Sequence, residues 1–445
     1  MTRKLTLFFL LLCFQPLVAS DKQKLTLDEF FNSVEFEALQ FSPDGNSLII
    51  GTNRAEWERS IFRHDLWLYR QAGSDVGALI QLTQSAHDTD PHWSPDGKWI
   101  AFLSERKTAT QKGNDSDDES KDGGINQLFL IPSNGGEAFA LTEGEEEVHA
   151  FAWSQDSRTL YFATRVPWTK VQKDAYKKNW KDTLQYRAAE RNDVIFSLDL
   201  ASAIARHRNA PAQPPRDDDQ ISDATPGAQL VASTPWRIQQ MAVSPDGHRL
   251  AFTTSSISER QEKTEEFEIY LVDVTQPSSN QVARRLTNNA AVEQDIHWST
   301  DNRHVFFNVE VGDVSGPYRD LQPHLYWVDV QTREVQQWSK DFVGSVNHYA
   351  VGGDRILVAG RQGTEVPLYF AEQPSKSFAK VPVWPGTYDQ IATAEHSRRI
   401  AFVYSALERP AEVYLAESAD QLASAKPITS FNKLFTERDL PQGKP

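Results

Sequence analysis

The chain has 445 residues, 39% of them apolar, and a formal charge of −15. So acidic a surface repels phosphate backbones and anionic lipid, which excludes nucleic acid and membrane surfaces as partners. A single cysteine, Cys13, rules out disulfides and cysteine-ligated metals, so a large apolar core must supply the stability.

In chain order, Arg3 and Lys4 precede an apolar run from Leu5 to Phe14 and then the small residues Val18, Ala19 and Ser20. That order is expected of a secretory signal over residues 1–20, cleaved ahead of Asp21, and the run is too short to span a bilayer. Leu10-Leu11-Leu12 lacks the small residue of a lipoprotein site. Loss of Arg3 and Lys4 takes the charge from −15 to −17, and no later run is apolar enough for a membrane helix. The expected location is periplasmic or secreted.

Residues 21–37 form a lead-in, after which one short unit recurs: Phe41-Ser42-Pro43-Asp44-Gly45, Trp93-Ser94-Pro95-Asp96-Gly97, Trp153-Ser154-Gln155-Asp156-Ser157, Val243-Ser244-Pro245-Asp246-Gly247 and Trp298-Ser299-Thr300-Asp301-Asn302. Proline presets one turn dihedral, the aspartate bonds back to local backbone, and glycine accepts positive φ, so each unit predicts a hairpin turn. The structural positions are Asp44, Gly45, Asp96, Gly97, Asp156, Asp246, Gly247 and Asp301. Alternation before each turn and a buried run after it give two antiparallel strands. A third follows, as in Leu66-Trp67-Leu68-Tyr69 or Ile269-Tyr270-Leu271-Val272, and often a fourth carrying Leu-Thr or Ile-Thr, as at Leu82-Thr83, Leu141-Thr142, Leu286-Thr287 and Ile428-Thr429.

Four antiparallel strands repeated at a spacing of roughly 50 residues predict an all-β propeller. The units fall at 38–84, 88–143, 148–234, 238–288, 293–339, 346–382 and 388–430, the last two without the turn consensus. That is seven blades over 38–430, or eight if residues 22–37 complete another.

Two insertions interrupt the spacing. Residues 107–124 are highly charged and predict a solvated loop; Asp115, Asp117 and Glu119 have the alternation of a calcium loop, but Ser120 stands where glycine is needed, so no metal is assigned. From 168 to 235, Trp168, Tyr176, Trp180, Leu184, Tyr186 and Ala189 have near-helical spacing, which predicts one helix inserted in blade three, packed on the propeller's side or, as the alternative, placed at an opening or partner interface, followed by a Pro- and Asp-rich loop from Ala210 to Gly227.

Catalytic motifs are missing from this sequence. The two glycine pairs four apart, Gly73 with Gly77 and Gly312 with Gly316, enclose Asp75 and Val314 rather than a nucleophilic serine. No His-Glu-x-x-His occurs, and no cofactor is expected. His92, His149 and His297 precede turns at similar blade positions and could face a central channel, although hydrogen-bonded strand histidines are the favoured reading. Glu145-Glu146-Glu147 and Glu265-Glu266 could hold a peptide's amino terminus, against the simpler reading of solvated loops. Glu56, Glu58 and Arg59, in the first blade's hairpin, are the candidate substrate-binding residues.

The turn repeats, the opening Leu25-Thr26-Leu27-Asp28-Glu29-Phe30-Phe31, the segment from Trp180-Lys181-Asp182 through Tyr186-Arg187 to Glu190-Arg191-Asn192-Asp193-Val194-Ile195, and the exit Ile428-Thr429-Ser430-Phe431-Asn432 resemble the amino-terminal propeller of the prolyl oligopeptidase family, in its secreted bacterial acylaminoacyl-peptidase and dipeptidyl-peptidase-like branch. The resemblance implies a lid that admits short or unfolded peptides to an α/β-hydrolase domain with a Ser-Asp-His triad. Residues 431–445 then read as a linker toward that domain, whose triad has no positions here. The expectation is a non-catalytic, substrate-gating propeller, a fragment or truncated product inactive alone, with peptides and a hydrolase domain as partners and with a docking face left exposed. The alternative is a free-standing periplasmic Tol-associated-type propeller that binds a protein partner; an enzyme working inside the channel is disfavoured.

Overall fold

The structure, a computed structural model, describes residues 22–71, 77–108, 124–144, 146–166, 168–180, 191–209, 227–256, 266–275, 281–313, 322–352 and 355–440. The signal-like segment, the alternation over 115–119, residues 184–189 and the Pro- and Asp-rich loop of 210–226 lie outside them.

Seven four-stranded antiparallel sheets span residues 35–81, 88–140, 148–233, 237–285, 290–337, 345–380 and 387–427, each built from four strands consecutive in sequence. Among the described residues there is no eighth blade: residues 22–34 contribute only a two-residue strand, Gln23–Lys24, and a short helix, α1 (Leu27–Phe31). Because strands alternate in direction, the connections from first to second and from third to fourth strand lie on one side, the turn face. The hairpins between second and third strands, and the crossings to the next blade, lie on the opposite hairpin face.

The turns are held by one repeated set of bonds. Each serine hydroxyl donates to the aspartate two residues on, at 2.6 Å for Ser42, 2.7 Å for Ser94 and Ser154 and 2.5 Å for Ser244. It also accepts from the backbone N–H five residues on, at 2.9 to 3.0 Å. Serine and neighbouring backbone donors hold the Asp44 and Asp156 carboxyls below their ordinary range. Gly45, Gly97 and Gly247 have φ of 70 to 73°, and Ser157 and Asn302 tolerate 60 and 58° in the same place. Those two side chains also tie blades together. Ser157 accepts from the Asp96 N–H of blade 2 at 2.9 Å, and Asn302 accepts from the Asp246 N–H of blade 4 at 2.8 Å.

The tryptophan before the turn crosses a blade boundary too. The indole N–H of Trp153 donates to His92 O at 3.2 Å, and that of Trp298 to Ala242 O at 2.9 Å. At the outer edge, the threonine of Leu-Thr (Ile-Thr in blade 7) accepts a backbone N–H of the third strand: Thr83 from Leu66, Thr142 from Leu128, Thr287 from Ile269 and Thr429 from Val413, all at 2.9 to 3.0 Å. A fourth strand only two to four residues long in these blades is thereby fixed by a side chain as well as by its ladder.

Blade 3 carries two helices. The expected helix, α2 (Lys170–Trp180), rises from the hairpin face, capped by reciprocal bonds between Thr169 and Gln172. It is mostly exposed rather than packed on the propeller's side; contact is made through Trp168, whose ring meets Tyr176 at 5.1 Å and lies 4.9 Å from the Arg191 guanidinium. A second helix, α3 (Leu200–Asn209), sits on the turn face with Leu200 and Ala203 buried in the core between blades 2 and 3.

Ring closure needs no strand exchange. Phe36, Leu48, Ile50 and Tyr69 of blade 1 bury against Ala401, Val403, Val413 and Leu415 of blade 7. Outside the blades the chain's two ends clasp. Gln23–Lys24 pairs in parallel with Arg438–Asp439, and Arg438 forks onto Glu29 at 2.6 and 3.0 Å. Buried Asn432 accepts from Val34 N–H and donates to Val34 O and Ala411 O, each at 2.8 Å. Replacing Asn432 by Ala strips all three bonds from half-buried backbone, and is expected to cost roughly 2–3 kcal/mol. Equilibrium unfolding in urea reads this directly, and an unchanged midpoint would show that the clasp contributes nothing to closure.

Candidate binding site at the channel mouth

The first strand of each blade is the inner one: the first strands of blades 7, 1 and 2, of blades 3, 4 and 5, and of blades 6 and 7 approach one another around the axis. Every inner strand is bulged against its second strand, around Glu37, Asp90-Pro91, His149, Gln239, Asp295-Ile296, Asn347 and Gln390 in turn. A bulge leaves a residue unpaired and re-aims its neighbours. Asp90, Asp295 and Gln390 adopt φ of 48, 56 and 41°, so the irregularity is built by non-glycine residues. Inner strands start on the hairpin face, and in blades 1, 3, 4 and 6 the bulge falls within the first three residues of the strand, so this polar ring lies toward the channel mouth on that face.

Five histidine–carboxylate pairs populate it. His64 lies 2.9 Å from Glu37, His92 2.9 Å from Asp90, His297 3.1 Å from Asp295 and His348 2.6 Å from Asp389; His149 sits between Asp193 at 2.6 Å and Glu147 at 3.0 Å. The Glu37 carboxylate raises the pKa of His64. Burial opposes the charge on His92 and His149, yet Asp90 in one case and Asp193 with Glu147 in the other outweigh it and raise both. The His92 ring meets Phe151 of blade 3 edge-on at 5.0 Å, and His297 meets Tyr349 of blade 6 at 5.2 Å, so the pairs also stiffen blade boundaries. The histidines are thus both hydrogen-bonded and placed at the mouth. Such a ring offers fixed charge and donors to a polar chain passing through; it contains no nucleophile.

The acidic runs are neutralised internally. Glu145 and Glu265 lie outside the described residues. Glu146 meets Arg191 at 2.5 Å, and Glu147 is held at about 2 by His149, with Arg165 and Arg237 adding to it against the effect of burial. Glu266 is buried on Ser256. Of the candidate substrate-binding residues, Glu56 ends the second strand of blade 1 and meets Arg63 at 3.2 Å and Arg59 at 3.8 Å, while Glu58 and Arg59 stand in the single turn that tips the hairpin. Arg63 joins Glu56 to buried Asp65, which places the group on the rim next to His64 rather than among the other histidines. Among the described residues no cluster of three or more His, Cys, Asp or Glu could hold a metal.

Two features escaped the sequence reading. One is the acid-x-His spacing of Glu147-x-His149, Asp90-x-His92 and Asp295-x-His297, a signal visible in the chain. The other is an apolar patch on the hairpin face, where Leu27, Phe30 and Phe31 of α1 stand 52 to 74% exposed beside Trp57 and Phe62 at 60 and 66%. Phe31 packs edge-on against Trp57 at 6.0 Å, and the Trp57 indole donates to Asn32 at 2.9 Å.

Between blades 4 and 5 lies a fully buried carboxyl pair. Thr287 and Asn289 each donate to Glu293 at 2.6 Å, while Arg285 and the Asn289 N–H serve Glu268. Burial, with the Glu268 charge added, pushes Glu293 up to about 8. The unfolded chain releases this proton near 4.5 and the folded chain retains it to about 8, so the unfolded state binds fewer protons between and stability falls as pH rises through that window. In Glu293→Gln, which has no proton to lose, the drop in Tm from pH 5 to pH 8 is expected to be smaller than in the parent. Identical drops would contradict the assignment.

No protein-family model matches the chain. Over 140 residues it is 27% identical to the uncharacterized peptidase YuxL of Bacillus subtilis, covering 31% of this chain and 19% of that one. Among solved structures it matches a puromycin-hydrolyzing peptidase of Mycobacterium tuberculosis (TM-score 0.60, 11% identity, 95% of this chain and 57% of that one). It also matches the acylaminoacyl peptidase of Pyrococcus horikoshii (0.57, 12%, 93% and 55%). A third match is the β-propeller domain of the Trilobed protease from Pyrococcus furiosus (0.53, 11%, 90% and 99%). Its structural neighbours are peptidases of the prolyl oligopeptidase family. At these identities the likeness is one of fold, and the chain spans somewhat over half the length of the first two solved structures.

Proposed function

We propose that the chain is the substrate-gating propeller of an exported prolyl-oligopeptidase-family serine peptidase, working with an α/β-hydrolase domain that covers the hairpin face. The observation that carries this reading is the coincidence, on one face, of the polar channel mouth and the exposed patch of Leu27, Phe30, Phe31, Trp57 and Phe62. Clustered apolar side chains rimmed by charge are what a docking partner covers, and a channel opening beneath it would deliver peptides into the covered space. On this reading the channel admits an extended chain and excludes folded protein. The match of fold to peptidases over more than nine-tenths of the chain supports the same reading. Glu56, Glu58 and Arg59, on the rim between patch and mouth, would meet substrate as it leaves the channel.

On this account the purified chain binds short unfolded peptides, does not bind a folded protein, and hydrolyses neither peptide amides nor activated esters. Calorimetry and a chromogenic assay test both halves. Turnover that one serine substitution abolishes would contradict the non-catalytic role.

A further inference from the structure

A cleft of about 540 Å³ opens at the seam between blades 1 and 7, beside the channel mouth. Its lining sets the apolar Phe36, Val403 and Phe435 against the carboxylates of Glu35, Glu37 and Asp389, and contains no lysine or arginine. The shape follows from ring closure. Asn432 spends its whole amide on Val34 and Ala411, fixing one wall, and the blade 7 bulge, with Gln390 at φ 41°, sets Asp389 and Gln390 into the other.

The charge of the lining itself is one-signed. Glu37 shares His64 and Asp389 shares His348, whereas neither Glu35 nor Gln390 makes a side-chain hydrogen bond among the described residues. With both histidines charged, three carboxylates face two imidazoliums and, from outside the lining, the Arg361 guanidinium that acts on Asp389; with both neutral, three carboxylates face that one guanidinium. The lining itself supplies negative charge only, and the cleft is net anionic once either histidine is neutral. A bare metal ion fits poorly, because the aromatic and aliphatic wall would displace its hydration shell without replacing it. An organic cation on an apolar stem satisfies both halves of the lining.

We propose that this cleft binds an ammonium or guanidinium carried on an apolar stem, presented by a peptide through its amino terminus or through a lysine or arginine side chain. That the carrier is a peptide rests on the function proposed above; that it is cationic rests on the cleft alone. Carboxylates beside an apolar wall select such a group by charge in a partly desolvated place, and the selection weakens with salt.

The test is calorimetric titration of the 445-residue chain with one leucine-led tetrapeptide amide in three forms: free amino terminus, N-acetylated, and N-acetylated with lysine in second place. At least one charged form is expected to bind about tenfold more tightly than the neutral form, and the preference to shrink as salt is raised. Glu35→Gln, an exposed substitution that leaves the fold intact, and Asp389→Asn should each remove much of that preference. Tightest binding of the first form assigns the amino terminus; tightest binding of the third assigns a basic side chain. Equal binding of charged and neutral forms, undiminished preference in both variants, or no binding of any form overturns the proposal. Charge-selective binding by a chain that also cleaves peptides would leave this site standing and overturn the non-catalytic role instead.

Discussion

A four-stranded blade has two apolar faces and can bury neither alone, so everything in this molecule depends on each blade finding a neighbour on both sides. Each of the seven core clusters joins residues of adjacent blades, and the last joins blade 7 to blade 1. Fully burying one large aliphatic or aromatic side chain contributes roughly 1.5–3 kcal/mol. An open ring would forfeit seven such side chains, and Ala401 with them, at the 1–7 seam. Side-chain packing there, reinforced by the Asn432 clasp and the Glu29–Arg438 pair, does the work that a shared strand could have done.

Closure also explains where polar chemistry collects. Inner strands converge on the axis and have no partner on one edge, so their backbone and side chains face one another across the channel. Bulging them turns acids and histidines into that space, and each of these histidines takes a carboxylate partner. The same face bears the exposed aromatic patch and the acidic cleft at the seam. The turn face, by contrast, is occupied by short serine–aspartate turns whose polar groups are spent on one another and on the next blade.

The blades were legible because their determinants are local. Serine, aspartate and glycine act within six residues, and the threonine of the fourth strand reports on a bond to the third. Blades 6 and 7 lack the turn consensus but keep the strands of Leu368-Tyr369-Phe370 and Val413-Tyr414-Leu415. What could not be read were contacts between positions about 400 residues apart, such as Val34 with Asn432, and the positive φ of Asp90, Asp295 and Gln390, which no glycine announces. Helix α3 was missed because Leu200-Ala201-Ser202-Ala203 follows directly on a strand; its signal is Asp199, which accepts from the Ser202 N–H at 2.8 Å. The site was half visible. Histidines before the turns drew notice, and the acid two residues earlier stands in the chain, but the bond between them, and the engagement of Glu146 by Arg191 and of Glu147 by His149, Arg165 and Arg237, are facts of the folded ring.

The central claim is that peptides engage this propeller at its hairpin-face mouth. Hydrogen–deuterium exchange of the chain, with and without a saturating unfolded peptide, tests it most directly. Added protection is predicted in the inner-strand segments around 35–37, 90–92, 295–297 and 389–390, with none in the Ser-Pro-Asp-Gly turns. Protection confined to the turn face, or none despite demonstrated binding, would contradict the account.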